Sequence, residues 1–356
     1  MKILSIDTSC DETAASITEG TKIISNVIWS QASAHAKFGG VMPSLAQRMH
    51  EERIDYVIHK ALGIKHKALK DIDAIAVTVG PGLSIALGVG IDRAKKLAIK
   101  YNKKLIAVNH LEAHVISSLA NSKSQNTSSK QITNSNIKYP ALGLVVSGGN
   151  TLLIKIIKIG SYETLAQTTD DALGEALDKA ARMLGLGYPG GAILEKLARG
   201  GNIRAYKLPI PIVGQEDRKI FTYSGLKTSF SRLVGSEKPL TKEKITNLAA
   251  CFQNVAFTHL IRVCSYVIGN SKTSASSSLE ISNLLVGGGV SANMELRKRL
   301  RSLGKEYNIK VYFPYSQKLT GDNAAMIGVA ASFKAQRDEF ISPDKIDRNP
   351  NAKISD

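Results

Sequence analysis

The chain has 356 residues, with 47 Lys and Arg against 30 Asp and Glu, a formal charge of +17 and 43% hydrophobic content. That composition supports one large core or two lobes, and no run of about 18 apolar residues is present to form a membrane span. The charge excess points to a polyanionic partner, most simply nucleic acid, with a basic but ordinary surface as the alternative.

The N-terminus, MKILSIDTSCDE, enters a strand-like alternation at once, which fits neither a signal nor a transit peptide. The three cysteines, Cys10, Cys251 and Cys264, form no CxxC, so no disulfide framework and a cytoplasmic location are expected. ILSIDT, TAASITEG and IISNVIWSQ read as three short strands joined by tight turns. A helical stretch from Ser44 to Leu62 follows, then the buried strand AIAVTV, broken by Gly80-Pro81-Gly82. A second helix over Ser84 to Lys100, the strand LIAV and a helix carrying HLEAH complete the first half.

The second half repeats the order. ALGLVVSGGN, TLLIKIIKIG and SYETLAQT are three strands, Asp171 to Leu186 is helical, and residues 243–269 form a long helical pattern. LLVGGG, SANMELRKRL, VYFP and NAAMIGVAASF then read as strand, helix, strand and helix. The expected division is a first lobe over 1–120, a polar linker over 121–138, a second lobe over 139–342 and a charged, loosely packed tail over 343–356. The last helix, 322–336, is a candidate to pack back on the first lobe, and SKTSASSS (271–278) is expected to be a surface loop. The fold class is α/β, a duplicated lobe with a ligand cleft between copies, because ligands in such sheets bind at the carboxyl ends of strands.

Glycine placement supports ligand binding at strand ends. Ser147-Gly148-Gly149-Asn150 and Gly287-Gly288-Gly289 follow strands, and Gly190-Gly191 follows Tyr188-Pro189. Backbone N–H groups approach a phosphate closely at glycine, whereas any one such turn is also simply a turn. The pattern is neither GxGxxG nor a Walker A loop. It is similar instead to the nucleotide cleft of the actin, heat-shock chaperone and sugar-kinase (ASKHA) type.

HLEAH places His110 and His114 four apart, on one helical face. Two imidazoles there can share a metal ion, the bland alternative being two satisfied histidines. Asp322, in the turn GDNAA before the last long helix, is a candidate third ligand. Two His and one carboxylate suit Fe(II) or Zn. Glu112 stands one position later than the glutamate of a HExxH protease, about 100° around the helix, so it does not inherit that base's role.

With these residues in place, the chain resembles the TsaD/Gcp family, the tRNA N6-adenosine threonylcarbamoyltransferases once named O-sialoglycoprotein endopeptidases. The match runs in order through IDTSCDETAASI, FGGVMPSLAQRMH, NHLEAH, VVSGGNT, DDALGEALDK, YPGG, FTYSGLKT, VGGGVSAN and GDNAAMIG. The resemblance implies transfer of a threonylcarbamoyl group from threonylcarbamoyl-adenylate to N6 of the adenosine beside the anticodon in tRNAs reading ANN codons, with release of AMP. It implies one metal per subunit, Fe(II) or else zinc, on His110, His114 and Asp322. The donor would lie along Val145, Val146, Ser147, Gly148 and Gly149, with Asp178, Gly191 and Asn293 as further contacts. Asp11 and Glu12 match the acidic pair of the first turn and are candidates to take the amine's proton. Without the resemblance, Asp178 is a solvated helix carboxylate and Asn293 a helix cap.

The family implies partners as well, an inactive TsaB-like paralogue and a small TsaE-like ATPase, in a cytoplasmic setting without a membrane. Lys37, Arg48, Arg53, Arg93, Lys95, Lys96 and Lys227 are candidate contacts to tRNA phosphates, against the bland reading of solvated charge. Three positions differ from the commonest family pattern: Asn150 stands where many bacterial members have histidine and others asparagine, Gly321 where threonine is usual, and Ala192 where proline is common. A metalloprotease and a stand-alone ASKHA ATPase or kinase are the competing readings. The shifted Glu112 opposes the first, and a sugar kinase has no use for HxxxH.

Overall fold

The computed structural model describes residues 1–63, 69–122, 137–273 and 281–355. It divides into two compact units: unit 1 comprises Met1–Ile137, Lys158–Tyr162 and Phe313–Asp356, and unit 2 comprises Lys138–Ile157 and Glu163–Tyr312. Most of the polar segment expected at 121–138, and most of SKTSASSS, lie outside the described residues.

Unit 1 opens with β1 (Lys2–Asp7), β2 (Glu12–Glu19), β3 (Lys22–Ser30), α1 (Ala32–His35), α2 (Pro43–Leu62), β4 (Ala74–Gly80), α3 (Ser84–Tyr101), β5 (Lys104–Asn109), α4 (His110–Ile116) and β6 (Asn121–Ser122). The second sheet is built from β7 (Ala141–Val146), β8 (Thr151–Lys158), β9 (Ser161–Thr168), β10 (Ile220–Phe221), β11 (Asn283–Gly287) and β12 (Lys310–Tyr312). The helices among them are α5 (Leu173–Met183), α6 (Gly191–Ala198), α7 (Ser224–Ser236), α8 (Lys242–Thr273) and α9 (Met294–Glu306). The chain then returns to unit 1 with α10 (Ala324–Gln336).

The sheet orders are β5-β4-β1-β2-β3-β6 and β10-β9-β8-β7-β11-β12. In each, an antiparallel pair (β1 with β2, β7 with β8) is extended by parallel strands on the side of the first member (β4 and β5, β11 and β12). The repeated order of strands seen in the sequence is therefore a repeated sheet topology. Helices α6 and α7 and the short α1 were not anticipated.

Both faces of the first sheet are covered, which explains why its central strands read as nearly continuous apolar runs. One face places Leu4, Ile6, Ala15, Ile17, Ile75 and Val77 against Ile54, Val57 and Ile58 of α2 and Leu87, Ile91 and Leu97 of α3. The opposite face receives α10, buried at every position from Ala324 to Phe333. A helix buried all round must be apolar all round, and Ala324, Ala325, Gly328, Ala330, Ala331 and Ser332 of AAMIGVAASF are small enough to let it lie close. Ser5 Oγ donates to the Ala324 carbonyl at 2.6 Å. A Cβ built on Gly328 would stand 2.5 Å from Thr18 Oγ1 and 2.9 Å from Ser5 Oγ.

The expected loose tail is not found. Ile346, Ala352 and Ile354 are buried, and Asn349 N donates to the Val79 carbonyl at 2.7 Å. Spaced apolar residues among the charges give the segment a buried side that its overall polarity concealed.

In unit 2, His259 of α8 accepts a hydrogen bond from Thr222 N at Nε2 (3.1 Å) and stands edge-on to Phe221 and Tyr223. Burial holds its pKa down at about 4, against an ordinary value of about 6.5. Between those values the unfolded chain binds the proton and the folded chain does not, so stability falls as pH falls through this window, by at most about 1.4 kcal/mol per pH unit. His259→Gln, which keeps an acceptor, is expected to flatten the loss of Tm between pH 6.5 and 4 relative to wild type; parallel curves would remove His259 from that dependence. Gly328→Val is expected to cost about 3 kcal/mol by overpacking, read from urea unfolding, and an unchanged midpoint would show that α10 can retreat from β1 and β2.

Candidate metal centre

Two helices of unit 1 begin at the same place, each with an asparagine cap next to a candidate ligand. Asn109, extended at the end of β5, accepts from Leu111 N (2.9 Å) and Glu112 N (3.2 Å) and so starts α4 at His110. Asn323 accepts from Met326 N (3.1 Å) and starts α10 directly after Asp322. Gly321 needs no threonine side chain to close this turn, because Asn323 Nδ2 donates to its carbonyl at 2.8 Å.

His114 Nε2 lies 3.1 Å and His110 Nε2 3.4 Å from the same oxygen, Asp322 Oδ1. The two rings meet edge-on with centroids 4.5 Å apart. The three residues have ligand atoms within 4.8 Å of one another, a spacing that one metal ion can bridge. Sequence reasoning missed Asp7, at the end of β1. Its Oδ1 accepts from Thr78 Oγ1 (2.8 Å) and stands 4.0 Å from His110 Nδ1. Asp7 Oδ2, His110 Nδ1 and His114 Nδ1 are buried with no hydrogen-bond partner among the described residues.

The electrostatics are those of a crowded anionic floor. Burial raises Asp7, as does the charge of Asp322, against the pull of His110. Burial would also raise Asp322, but His110 and then His114 outweigh it and hold its carboxyl far below the usual range. Burial lowers His110, and Asp322 more than reverses this, raising its pKa to about 9. Burial, and then the charge of His110, lowers His114. Glu12 is held well above the usual carboxylate range by burial, then by the charges of Asp322 and Asp11. Buried carboxylates that repel one another beside two imidazoles with orphaned nitrogens are a donor set suited to a divalent cation.

Glu112 does not belong to this set. Its Oε1 accepts a 2.7 Å hydrogen bond from the hydroxyl of Tyr162, and the side chain is buried. Asp11 is buried and Glu12 half-buried in the first turn. Gln31 N donates to the Asp11 carbonyl (2.9 Å), and His50 bridges the Cys10 carbonyl (3.0 Å) and the Thr13 hydroxyl (2.8 Å).

In unit 2, Val145 and Val146 are fully buried strand residues, and Ser147 N is taken by the Asn150 carbonyl at 2.8 Å. The exposed Gly148 and Gly149 are left as the amides able to receive a ligand. Asn150 closes this turn through its backbone, so the departure there leaves the loop intact. The third glycine turn is pressed against the first: a Cβ on Gly288 (φ +92°) would meet the Val146 carbonyl oxygen at 2.4 Å. Asp178 Oδ1 accepts from Gly190 N (2.9 Å) and Gly191 N (2.7 Å), which joins two of the expected contacts in one structural bond pair. Asn293 caps α9 through Glu295 N and Leu296 N and donates to Gln253 Oε1 at 2.8 Å. Ala192 lies exposed at the start of α6.

Three of the candidate tRNA cations already have internal contacts. Arg93 pairs with Asp55 (2.5 Å), Arg53 stacks over Trp29 at 5.0 Å, and Lys227 pairs with Asp171 (2.6 Å). No described helix is long and apolar enough to cross a membrane.

Residues 22–329 match the family model described as TsaD, tRNA N6-adenosine threonylcarbamoyltransferase. Proteins of that name from Clostridium kluyveri and Endomicrobium trichonymphae are 41% and 42% identical to this chain, covering 100% and 99% of it and 98% of each relative. One from Bartonella tribocorum is 40% identical, covering 97% of this chain and 93% of its own. Among solved structures, the (R)-2-hydroxyglutaryl-CoA dehydratase component A of Acidaminococcus fermentans aligns with a TM-score of 0.51 at 14% identity, over 94% of this chain and 99% of that one. Full-length HypF aligns with a TM-score of 0.56 at 14% identity, over 96% of this chain and 47% of its own. These two likenesses concern the fold alone, and they agree with the ASKHA type. The sequence relatives carry the function, and by them this chain belongs to the TsaD family, the tRNA N6-adenosine threonylcarbamoyltransferases.

Proposed function

We propose that the transfer to tRNA adenosine uses the His110, His114 and Asp322 set to hold one Fe(II), with zinc as the second choice, and the Gly148–Gly149 turn to hold the donor's phosphate. The observation that carries this reading is the sharing of Asp322 Oδ1 by both imidazoles, beside an Asp7 oxygen with no hydrogen-bond partner among the described residues. Two histidines and a carboxylate with room for further ligands suit Fe(II) or Zn. Such an ion would supply Lewis-acid polarisation and orientation of a donor oxygen.

The remaining chemistry belongs to the chain itself. The donor, threonylcarbamoyl-adenylate, is a mixed anhydride, so no covalent enzyme intermediate is needed. The N6–carbonyl bond forms, the bond from that carbon to the phosphate oxygen breaks, and AMP leaves with the electron pair. The amides of Gly148 and Gly149 stabilise the charge that develops on the departing phosphate. Within unit 2, Asp178 fixes the Gly190–Gly191 turn, and Asn293 fixes the start of α9 behind the Gly287–Gly289 turn. Asp11 or Glu12 accepts the N6 proton, and burial holds the Glu12 carboxyl well above the usual carboxylate range. The TsaB-like paralogue, the TsaE-like ATPase and the cytoplasmic setting complete the proposal by family likeness.

A transfer assay tests it directly. Purified protein, threonylcarbamoyl-adenylate, unmodified ANN-reading tRNA and the two partner proteins are combined, and nucleosides are read by mass spectrometry. Modified adenosine is expected with wild type and none above background with His110→Ala/His114→Ala. Product from both would reduce the histidine set to a structural role. In the same assay, loss of the proton acceptor is expected to slow transfer about a hundredfold or more. Full rates in both Asp11→Asn and Glu12→Gln would exclude the acidic pair as the base.

A further inference from the structure

The C-terminal segment touches the two backbone turns that lead into the metal set. Asn349 N donates to the Val79 carbonyl (2.7 Å), and Gly82 N donates to the Pro350 carbonyl (3.2 Å), so the chain runs against the Gly80-Pro81-Gly82 turn after β4. The contact is close enough that a Cβ on Gly80 would fall 1.8 Å from the Asn349 carbonyl oxygen. That turn is in turn fixed to the first one: Leu83 N donates to the Ser9 carbonyl at 2.8 Å. Three residues further on, Lys353 presents its carbonyl to Asn109, whose Nδ2 donates to it at 2.7 Å. Asn109 therefore works in two directions, capping α4 with its oxygen and gripping the C-terminal segment with its nitrogen. Its neighbour in the chain is His110.

We propose that residues 346–354 form a positioning clamp for the metal set, and that Asn109 is the positioning residue through which the clamp orients His110. This rests on the reading that His110, His114 and Asp322 hold a metal. The segment brings no ligand of its own. It acts on backbone, holding the Asn109 side chain so that His110 meets Asp322 from a fixed direction. Supporting groups of this kind change metal affinity by roughly tenfold to a hundredfold when removed.

Asn109→Ser separates the two directions. Serine still caps a helix and adds no charge, but it is too short to reach the Lys353 carbonyl. Metal-free full-length wild type and N109S are titrated with Zn(II) against a competing chelator, and the visible spectra of their Co(II) forms are compared. A variant lacking residues 343–356 is measured in parallel. Expected are an unchanged Tm of metal-free N109S, a Zn(II) Kd at least tenfold higher, and an altered Co(II) ligand-field spectrum, with the shortened variant shifted the same way. Wild-type affinity and spectrum in N109S would overturn the clamp, whether or not the shortened chain folds. A wild type that binds neither ion would instead overturn the metal reading itself.

Discussion

One carboxylate oxygen organises unit 1. Asp322 Oδ1 is within hydrogen-bonding or ion-pair distance of both imidazoles of α4, and this meeting brings the starts of two helices to one point. Helix α10 comes from the far end of the chain to satisfy it, and the price is a helix buried on all sides. Its sequence follows from that constraint: apolar or small residues from Ala324 to Phe333, and a glycine where Thr18 and Ser5 leave no room for a methyl group. The centre also leaves Asp7 Oδ2, His110 Nδ1 and His114 Nδ1 buried without a hydrogen-bond partner among the described residues, and such groups are costly to bury unpaired.

Unit 2 shows the opposite strategy. The residues there that resemble donor contacts act mainly on the protein's own backbone. Asp178 holds the amides of Gly190 and Gly191, and Asn293 holds a helix end and Gln253. In the neighbouring turn, Gly148 and Gly149 are exposed. Binding by backbone amides needs loop shape more than side-chain identity. This explains how Asn150 can differ from the family pattern while its carbonyl still closes the turn.

The legible parts of the sequence were those governed by a single period. Alternation marked β1 to β3 and β7 to β9, and the four-residue spacing of His110 and His114 placed them together. Two kinds of feature escaped. Helix α7 is rich in Ser and Thr, which weakens its helical signal, although Leu226, Phe230 and Val234 at spacings of four are its buried stripe. Asp7 and Asn109 escaped because each sits at a strand end, where local pattern explains it fully. Asp7 reads as the polar end of a buried strand and Asn109 as a cap, and only tertiary structure sets one beside His110 and the other beside Lys353. The packed C-terminal segment was hidden for a related reason. Its apolar residues are too sparse to form a periodic signal, and most of its bonds, Arg348 to the Ser84 carbonyl aside, are made by backbone groups that every sequence possesses.

The glutamate inside HLEAH shows how one residue of register separates two chemistries. A metalloprotease base must sit beside the metal's own water, which HExxH achieves by placing Glu next to the first histidine. Moving it one position turns the side chain by about 100°, and in this protein that rotation carries Glu112 away from Asp322 to the hydroxyl of Tyr162. Tyr162 is itself held by Gly160 N, and Arg337 donates to the Ile159 carbonyl beside it. The acid is thus taken up in a structural bond on the far side of the helix from the metal set. What stands on the metal side instead is Asp7, anchored by Thr78 and too deeply buried to exchange protons with a peptide substrate. The same helical period that sets His110 and His114 beside Asp322 therefore turns Glu112 to the other side of the helix, away from the place a proteolytic base would need.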